Sequence, residues 1–547
     1  MQAAVPSPDT SIRILPVRAD AILLEFADLE QALAMFEALD SNPVTGIREI
    51  VPGARTLLVS FSPTVICEEA LLQAVAARAG STRKAAAGAL VEIPLRYDGE
   101  DLAEVAGLLQ MSADEVVRLH SEGEYVVAFT GFTPGFGYLA GGDPRLAVPR
   151  RKSPRVKVPA GGVGLAGEFS GVYPKTSPGG WQLIGTTPLA MFDIERVPAS
   201  LLQPGNRVRF RNLATETAYE IVAPKIPSAL RPEKPAAVGI VEPALEILHV
   251  GLPVLFQDLG RPGQASQGIS MSGAVDRASF KAANRLVGNP IGHAALEICL
   301  GGLRFRMHGR GVIAVTGAAS TITIVNANGA AIAGAHNTAI ALDDGDVVSL
   351  GTPAAGTRSY LAARGGFDVA PVLGSTATDT LAQIGPAALA PDDVIAIRSV
   401  PAGSLVSLPE LPPFAMPDTM ETVVLDVVMG PRTDWFAKTA VDSFLAQKWS
   451  VTPQSSRVGI RLQGQPLERE NHGELPSEAT VRGAVQVPAS GQPVLFLADH
   501  PLTGGYPVIA NVAGHHLDLA AQIPVGASIR FNAISRFVPR ILPGKQS

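Results

Sequence analysis

FTGFTPGFGYLAGG, residues 129–142, interleaves Gly131, Gly135, Gly137, Gly141 and Gly142 with Phe129, Phe132, Phe136 and Tyr138. Aromatic side chains favour burial, and glycines at this density favour turns. The stretch therefore belongs to a long β region punctuated by Gly and Pro rather than to a helix. A basic tail follows: Arg145, Arg150, Arg151, Lys152, Arg155 and Lys157, with no acidic residue from Arg145 to Lys157.

The composition points the same way. The 547 residues include 55 Gly and 45 Pro, and aromatics are scarce at 5%. Many short strands joined by turns fit this better than a helical bundle. At roughly 150 residues per domain, the length allows about three to four domains. Net charge is −6 and the pI is near 5.9, so no nucleic-acid partner is expected. Two cysteines far apart, Cys67 and Cys299, exclude a disulfide framework and a thiolate-rich metal site. The sequence contains neither a signal-peptide pattern at Met1 nor the ~20 uninterrupted apolar residues of a membrane helix. A cytoplasmic protein is expected, with no metal site and no membrane contact.

Residues 1–88 read as a small α+β domain, with strands at 21–26 and 56–61 and helices at 29–39 and 68–80. Residues 89–222 open with a strand, LVEIPLRY. Two short helices follow, one starting on Asp101 and one opening with Ser112 and Glu115 in capping-box spacing; His120 at the end of the second reads as a partner for the helix dipole. Residues 223–239 hold Pro224, Pro227, Pro232 and Pro235 and read as a stiff linker. Residues 240–410 form a β-rich lobe whose clear helix, DRASFKAANRLVG, has Asp276 as N-cap and stops at Gly288. Residues 411–547 form a second lobe after a Pro cluster at 408–417. Val-Pro-Ala-x-Gly occurs at Val158 and again at Val487, each followed by Gly-Gly-aromatic ending in Trp181 or Tyr506. Two related β units, one in each half, account for that repetition.

Three stretches carry candidate chemistry. The basic tail reads either as a carboxylate or phosphate site with Arg forks or as a solvated edge strand. QDLGRPGQASQGISMSGAVDR (257–277) crowds Asp258, Arg261, Gln264, Gln267, Ser270, Ser272 and Asp276 around glycines. It reads as a small-ligand loop or as a turn-rich connection that Asp258 and Asp276 cap. ADHPLTGGYPVIANV (498–512) offers Asp499 and His500 as an acid/base pair with Tyr506 lining a pocket, or a tight turn with a packed Tyr. The sequence has no G-x-x-x-x-G-K-[ST], H-E-x-x-H, Cys-x-x-Cys or Met-Lys-Met biotinylation motif. GISMSG (268–273) departs from the G-x-S-x-G nucleophile elbow.

The stretch from GFTPGFGYLAGGDPRLAVPRRKSPRVKVPAGG through SPGGWQLIGTTP closely resembles the KipI family, also called allophanate hydrolase subunit 1. GLPVLFQDLGRPGQASQGISMSGAVDR, GSTATD, GPRTDWF, SSRVGIRLQG and ADHPLTGGYP resemble the KipA family, or allophanate hydrolase subunit 2. Together the resemblances span nearly the whole chain, which reads as a fusion of the two. They imply a mainly β protein with an α+β part: cyclophilin-like β-barrel domains behind a small N-terminal α+β domain.

The function they imply is a fused B–C component of an ATP-dependent 5-oxoprolinase, which opens a lactam to glutamate with a separate A component. The alternatives are a urea carboxylase-type carboxyltransferase using biotin on a separate carrier, or a module regulating a sporulation histidine kinase. ATP with Mg is the expected cofactor, an amide or lactam the expected substrate, and a homo-oligomer is compatible with the resemblance. Such chemistry needs cations for an anion, backbone N–H groups for oxyanion charge and an acid/base group. Arg150, Arg155 and Lys157, with the backbone at Gly131, Gly135 and Gly161, are the expected anion site. Trp181, Gln264, Ser272, Thr503, Gly504, Gly505 and Tyr506 are expected to line it, and Asp258, Arg261, Asp276 and Asp499 to carry catalysis. Two departures stand out: residues 316–319 are Thr-Gly-Ala-Ala where an Asp is expected after TGA, and IGPAALAPDD replaces a Gly-Arg segment beyond GSTATD.

Overall fold

A computed structural model describes residues 11–82, 88–151, 153–215, 243–400 and 402–542. The Pro-rich linker and Lys152 lie outside the described residues.

The first unit is the expected α+β domain. Strands Ile12–Arg18, Ala21–Glu25, Ile47–Pro52 and Thr56–Phe61 form an antiparallel sheet covered by helices Leu29–Ser41 and Glu68–Arg78. Asp28 starts the first helix by accepting the Gln31 N–H at 2.8 Å, which satisfies one of the free donors of the first turn. Leu24, Met35, Leu39, Val59, Leu71 and Val75 fill the space between the layers. A further strand, Arg540–Leu542, comes from the other end of the chain and pairs antiparallel with Ile12–Arg18.

The second unit is a seven-stranded sheet in which Arg207–Asn212 runs parallel to Leu90–Leu95. Helices Leu102–Leu109 and Ala113–Glu122 form where the sequence puts them, and Ser112 accepts the Glu115 N–H at 3.1 Å. His120 is not a charged dipole partner. It is fully buried between Tyr97, Tyr125 and Phe210, bonded to Tyr97 and to Ser170, and burial pushes its pKa down to about 3.

The third unit packs a six-stranded sheet on a five-stranded one through Leu245, Phe256, Phe305 and Leu361. The fourth is a closed seven-stranded barrel, with Val427, Trp449, Leu495 and Phe531 inside it. The protein is thus mainly β, with cyclophilin-like barrel lobes beside the small α+β domain. The internal repetition is visible as geometry. Ser177–Gly179 and Thr503–Gly504 each form a two-stranded ribbon ahead of the Gly-Gly-aromatic turn. Each is followed by a strand of the main sheet, Gln182–Thr186 or Val508–Val512.

Candidate functional site

The loop after strand Glu124–Thr130 is the seam between the two halves. Thr130 Oγ1 donates to the Ala265 carbonyl at 2.8 Å, Gly135 N to the Gln267 carbonyl at 3.0 Å, and Phe132 N to Thr503 Oγ1 at 2.9 Å. A Cβ on Gly131 would lie 2.2 Å from Thr503 Oγ1. The glycine is there so that one half's backbone can touch the other half's side chain. Gly161, at φ +80°, answers to a turn: a Cβ there would meet the Thr187 carbonyl at 2.2 Å. The aromatics form a core. Phe129 stacks on Tyr138 at 4.2 Å, and Phe136 meets Trp181 edge-to-face at 5.2 Å, in a cluster where Trp181 is buried.

The basic tail finds its anions within the protein. Arg151 and Arg155 both bind Asp101 Oδ1, at 2.7 and 2.6 Å, and Arg155 adds Glu100 at 2.7 Å. Arg150 binds Glu474 at 2.8 Å and Ser477 Oγ at 3.2 Å, crossing to the last lobe. A Cβ on Gly505 would lie 2.7 Å from Arg150 Nη1. Lys157 is exposed on the surface. The absence of acids within the stretch is a fact of sequence only; Asp101 and Glu474 supply them in space.

The second and third stretches come together with GSTATD. Asp258 accepts from Gly260 N, Ser375 Oγ and Thr376 N at 2.7, 2.6 and 2.7 Å, and so shapes that loop. Asp499 accepts from Ser272 Oγ (2.6 Å), Thr380 N and Oγ1 (2.9 and 2.7 Å), and Arg457 Nε and Nη2 (both 3.0 Å). Arg457 also pairs with Glu297. Ser272 holds φ +54° at this point, a conformation that costs a non-glycine residue of order 1 kcal/mol and clusters at functional sites.

Beside this network Arg261 is 1% exposed and Asp379 is 1% exposed. Arg261 Nη2 donates to the Ala377 carbonyl, while its Nε and Nη1 have no partner among the described residues. Asp379 Oδ1 accepts from Leu381 N and Ala382 N at 3.0 and 2.8 Å, while its Oδ2 has none. From the other half Lys175 Nζ reaches over to donate to the Leu381 and Ala382 carbonyls at 2.6 and 3.3 Å.

Burial and the neighbouring Asp499 charge push Asp379 up to about 6. Burial would raise Asp499 too, but Arg457 and its hydrogen bonds overcome it and hold that carboxyl below its usual range. Burial lowers both Arg261 and Lys175. Two neighbouring carboxyls driven apart in this way divide the roles: Asp499 stays ionised, and Asp379 can exchange a proton near neutral pH.

The remaining candidates separate. Asp276 caps its helix by accepting Ser279 N at 2.9 Å and binds Gln522 at 2.7 Å, and burial raises it to about 6. Its two oxygens are occupied by the fold. Gln264 accepts from Gln267 at 2.6 Å. Gly504 backs onto Gln486, and half-exposed Tyr506 lies 5.5 Å under the Arg469 guanidinium. His500 accompanies Asp499 in sequence only: it turns to Thr480 and the Pro501 carbonyl and is lowered to about 4 by burial. Sequence reasoning missed Asp379, Arg457 and Lys175 as candidates. Asp379 ends GSTATD and Arg457 sits in SSRVG, so the quoted motifs held that signal; for Lys175 only its place in VYPKTS beside the aromatic cluster offered one.

A cavity of about 440 Å³ lies elsewhere, between the first sheet and the last lobe, lined by Arg13, Glu25, Arg55, Arg432 and Trp435. Arg432, from GPRTDWF, is buried there between Glu25 and Glu478, each at 2.7 Å.

Two doubled β halves closed on a polar seam define the class. Residues 12–202 match the carboxyltransferase domain, subdomains C and D, and residues 267–533 match its subdomains A and B. The chain belongs to the carboxyltransferase-domain family. Within it, 296 residues are 35% identical to the 5-oxoprolinase C component of Escherichia coli strain K12, covering 52% of this chain and 90% of that one. A further 124 residues are 53% identical to the 5-oxoprolinase B component of Bacillus subtilis strain 168, covering 22% of this chain and 52% of the relative, about half its length. Urea amidolyase of Lachancea kluyveri is 32% identical over 326 residues, 55% of this chain but 18% of that protein. The crystal structure of TTHA0988 superimposes with a TM-score of 0.79 at 34% identity, covering 94% of this chain and 99% of its own. The two halves of this chain are thus similar to the B and C components of 5-oxoprolinase, joined in one chain.

Proposed function

We propose that this chain is the B–C component of an ATP-dependent 5-oxoprolinase, which hydrolyses 5-oxoproline to glutamate together with a separate A component in the cytoplasm. The observation that supports it most is the pair Arg261 and Asp379, buried at the seam with guanidinium N–H groups and one carboxyl oxygen unpartnered. Buried polar atoms normally have partners, and an empty pair of this kind calls for a ligand. A lactam supplies the complement: its carbonyl oxygen can accept from Arg261, and its N–H can donate to Asp379 Oδ2.

As the ring C–N bond breaks, the attacking water loses a proton to the Asp379 carboxylate, which, poised near 6, passes it to the amide nitrogen. The carbon takes hydroxyl from water, so 5-oxoproline and one water become glutamate; a second water is consumed as ATP becomes ADP and phosphate. ATP with Mg belongs to the assembly in this reading and is assigned to no residue of this chain. The test is direct: the chain with the A component, ATP and 5-oxoproline should release glutamate and ADP in equal amounts, and no release refutes the reading.

The match to carboxyltransferase subdomains and to urea amidolyase favours a second reading, transfer of a carboxyl group from biotin on a separate carrier to an amide nitrogen. The same donor–acceptor pair would hold that amide. Binding of a biotinylated carrier without glutamate release would select it.

A further inference from the structure

Lys175 stands between the aromatic cluster of the first half and the Asp379 loop of the second. It follows buried Tyr173 by two residues, and Tyr173 meets Phe136 and Phe132 edge-to-face at 5.4 and 6.2 Å. Pro174 between them fixes one backbone torsion. The aromatic packing of one half thus aims the lysine at the other.

What it reaches is a single helical turn. Gln383 N donates to the Asp379 carbonyl at 2.9 Å, and Gln383 ends the turn at φ +60°, the left-handed close common at helix ends. Asp379 Oδ1 holds the front of this turn through Leu381 N and Ala382 N, at 3.0 and 2.8 Å. In a helical turn N–H and C=O groups point to opposite ends. Lys175 Nζ takes the carbonyls of the same two residues, at 2.6 and 3.3 Å. Leu381 and Ala382 are therefore gripped from both sides, by Asp379 in front and by Lys175 behind. Burial works against the charge of Lys175. A leucine would join the halves at less cost, but only a donor can hold the two carbonyls.

We infer that Lys175 is the positioning residue of Asp379: by holding the back of the turn it keeps the carboxyl at the seam, so that the acid is in place only while the two halves are closed on each other. The inference rests on the reading that gives Asp379 the proton transfer, and goes beyond it by making the site depend on both halves. The charged groups that face Asp379 are Asp499, Arg261 and Arg457 from its own half and Lys175 from the other. The first three stay whatever the first half does; Lys175 leaves with it.

The test is hydrogen exchange on the whole chain, without the A component. Lys175→Met keeps the reach of the side chain and removes its donors, while Lys175→Arg keeps charge and donors. In Lys175→Met the peptide covering 379–384 should exchange at least about tenfold faster, the equivalent of one lost charge-assisted hydrogen bond. Peptides around Gly131 and Thr503 should keep their rates, and Lys175→Arg should recover most of the protection. With the A component, ATP and 5-oxoproline, Lys175→Met should lower kcat at constant KM. It should also move the apparent pKa near 6 upward, because a cation beside the carboxyl is gone; a purely structural role would leave it in place. Unchanged exchange at 379–384 overturns the inference and leaves the proposed function standing. So does an unmoved pH profile in a variant that still turns over. Exchange that rises equally around Gly131 overturns it too, since Lys175 would then only join the halves. The local exchange effect without glutamate release by the unsubstituted chain refutes the proposed function and leaves the hold on Asp379 standing.

Discussion

The seam between the halves has two regions built from opposite materials. Around Gly131 and Phe136 it is filled: glycines let backbones touch, aromatics pack on one another, and Thr503 closes the contact. Around Asp379 and Arg261 it is buried yet unfinished, with donor and acceptor atoms left without partners. The first arrangement joins the halves and the second gives the join something to hold. A sequence motif can therefore be conspicuous because it is mechanical, while the chemical residues sit in a plainer loop beside it.

The contrast is broken most severely at the unfinished region. Asp379→Asn should lower turnover by about 10²–10⁴-fold, the usual loss of a general acid. It should also remove an apparent pKa near 6 from the pH–rate profile. The fold favours protonated Asp379, so the stability this group contributes is full below its ordinary range near 3.8 and is lost as pH rises through about 6. The variant should therefore melt higher than the native chain at pH 8 while working worse; a lower melting point would make Asp379 a structural residue.

Asp276 sharpens the comparison, because it also titrates near 6 but spends both oxygens on the fold. With the same sign, its stabilising protonated form is lost as pH rises through about 6. Asp276→Asn keeps a capping oxygen but turns its amide NH2 on the NH2 of Gln522, whose oxygen is held by Thr357 N and Arg358 N, so it should lower stability by about 1–3 kcal/mol, the cost of an unsatisfied buried donor. Turnover should be unchanged. Loss of activity with a normal melting point would return Asp276 to the catalytic set.

At the filled region Gly131→Ala should cost about 1–3 kcal/mol, the usual range for overpacking, read as a fall in denaturation midpoint. Thr503→Ala in the same chain should recover part of it by removing the atom in the way. The smallest effect belongs to the basic tail: Arg150→Ala, half-exposed beside exposed Glu474, should cost about 0.2–1 kcal/mol and leave kcat/KM unchanged. A large rise in KM would restore the tail as an anion site.

Much of the architecture was legible in the sequence. Period placed the helix at 29–39, and capping signals placed those that start at Ser112 and Asp276, because both kinds of signal are local. The Val-Pro-Ala-x-Gly repetition pointed to two related halves for the same reason. The site was only partly legible. Asp258, Arg261, Asp499 and Ser272 lie in or beside the charged network, since a polar cluster on a glycine-rich loop stays clustered after folding. Arg155 was misleading because its carboxylate, Asp101, is 54 positions away, and pairing at that range leaves no trace in spacing. Lys175 was invisible for the converse reason: its meaning comes from carbonyls at 381 and 382, more than 200 positions downstream.

The strand Arg540–Leu542 lies along Ile12–Arg18, so the first sheet takes its edge from residues that follow the closed barrel in sequence. Removing 540–542 would uncover a sheet margin with free hydrogen-bonding groups, an invitation to self-association. If the halves were produced as two polypeptides, that small crossing strand would be a gift from one to the other, and its loss would weaken their union without touching the seam.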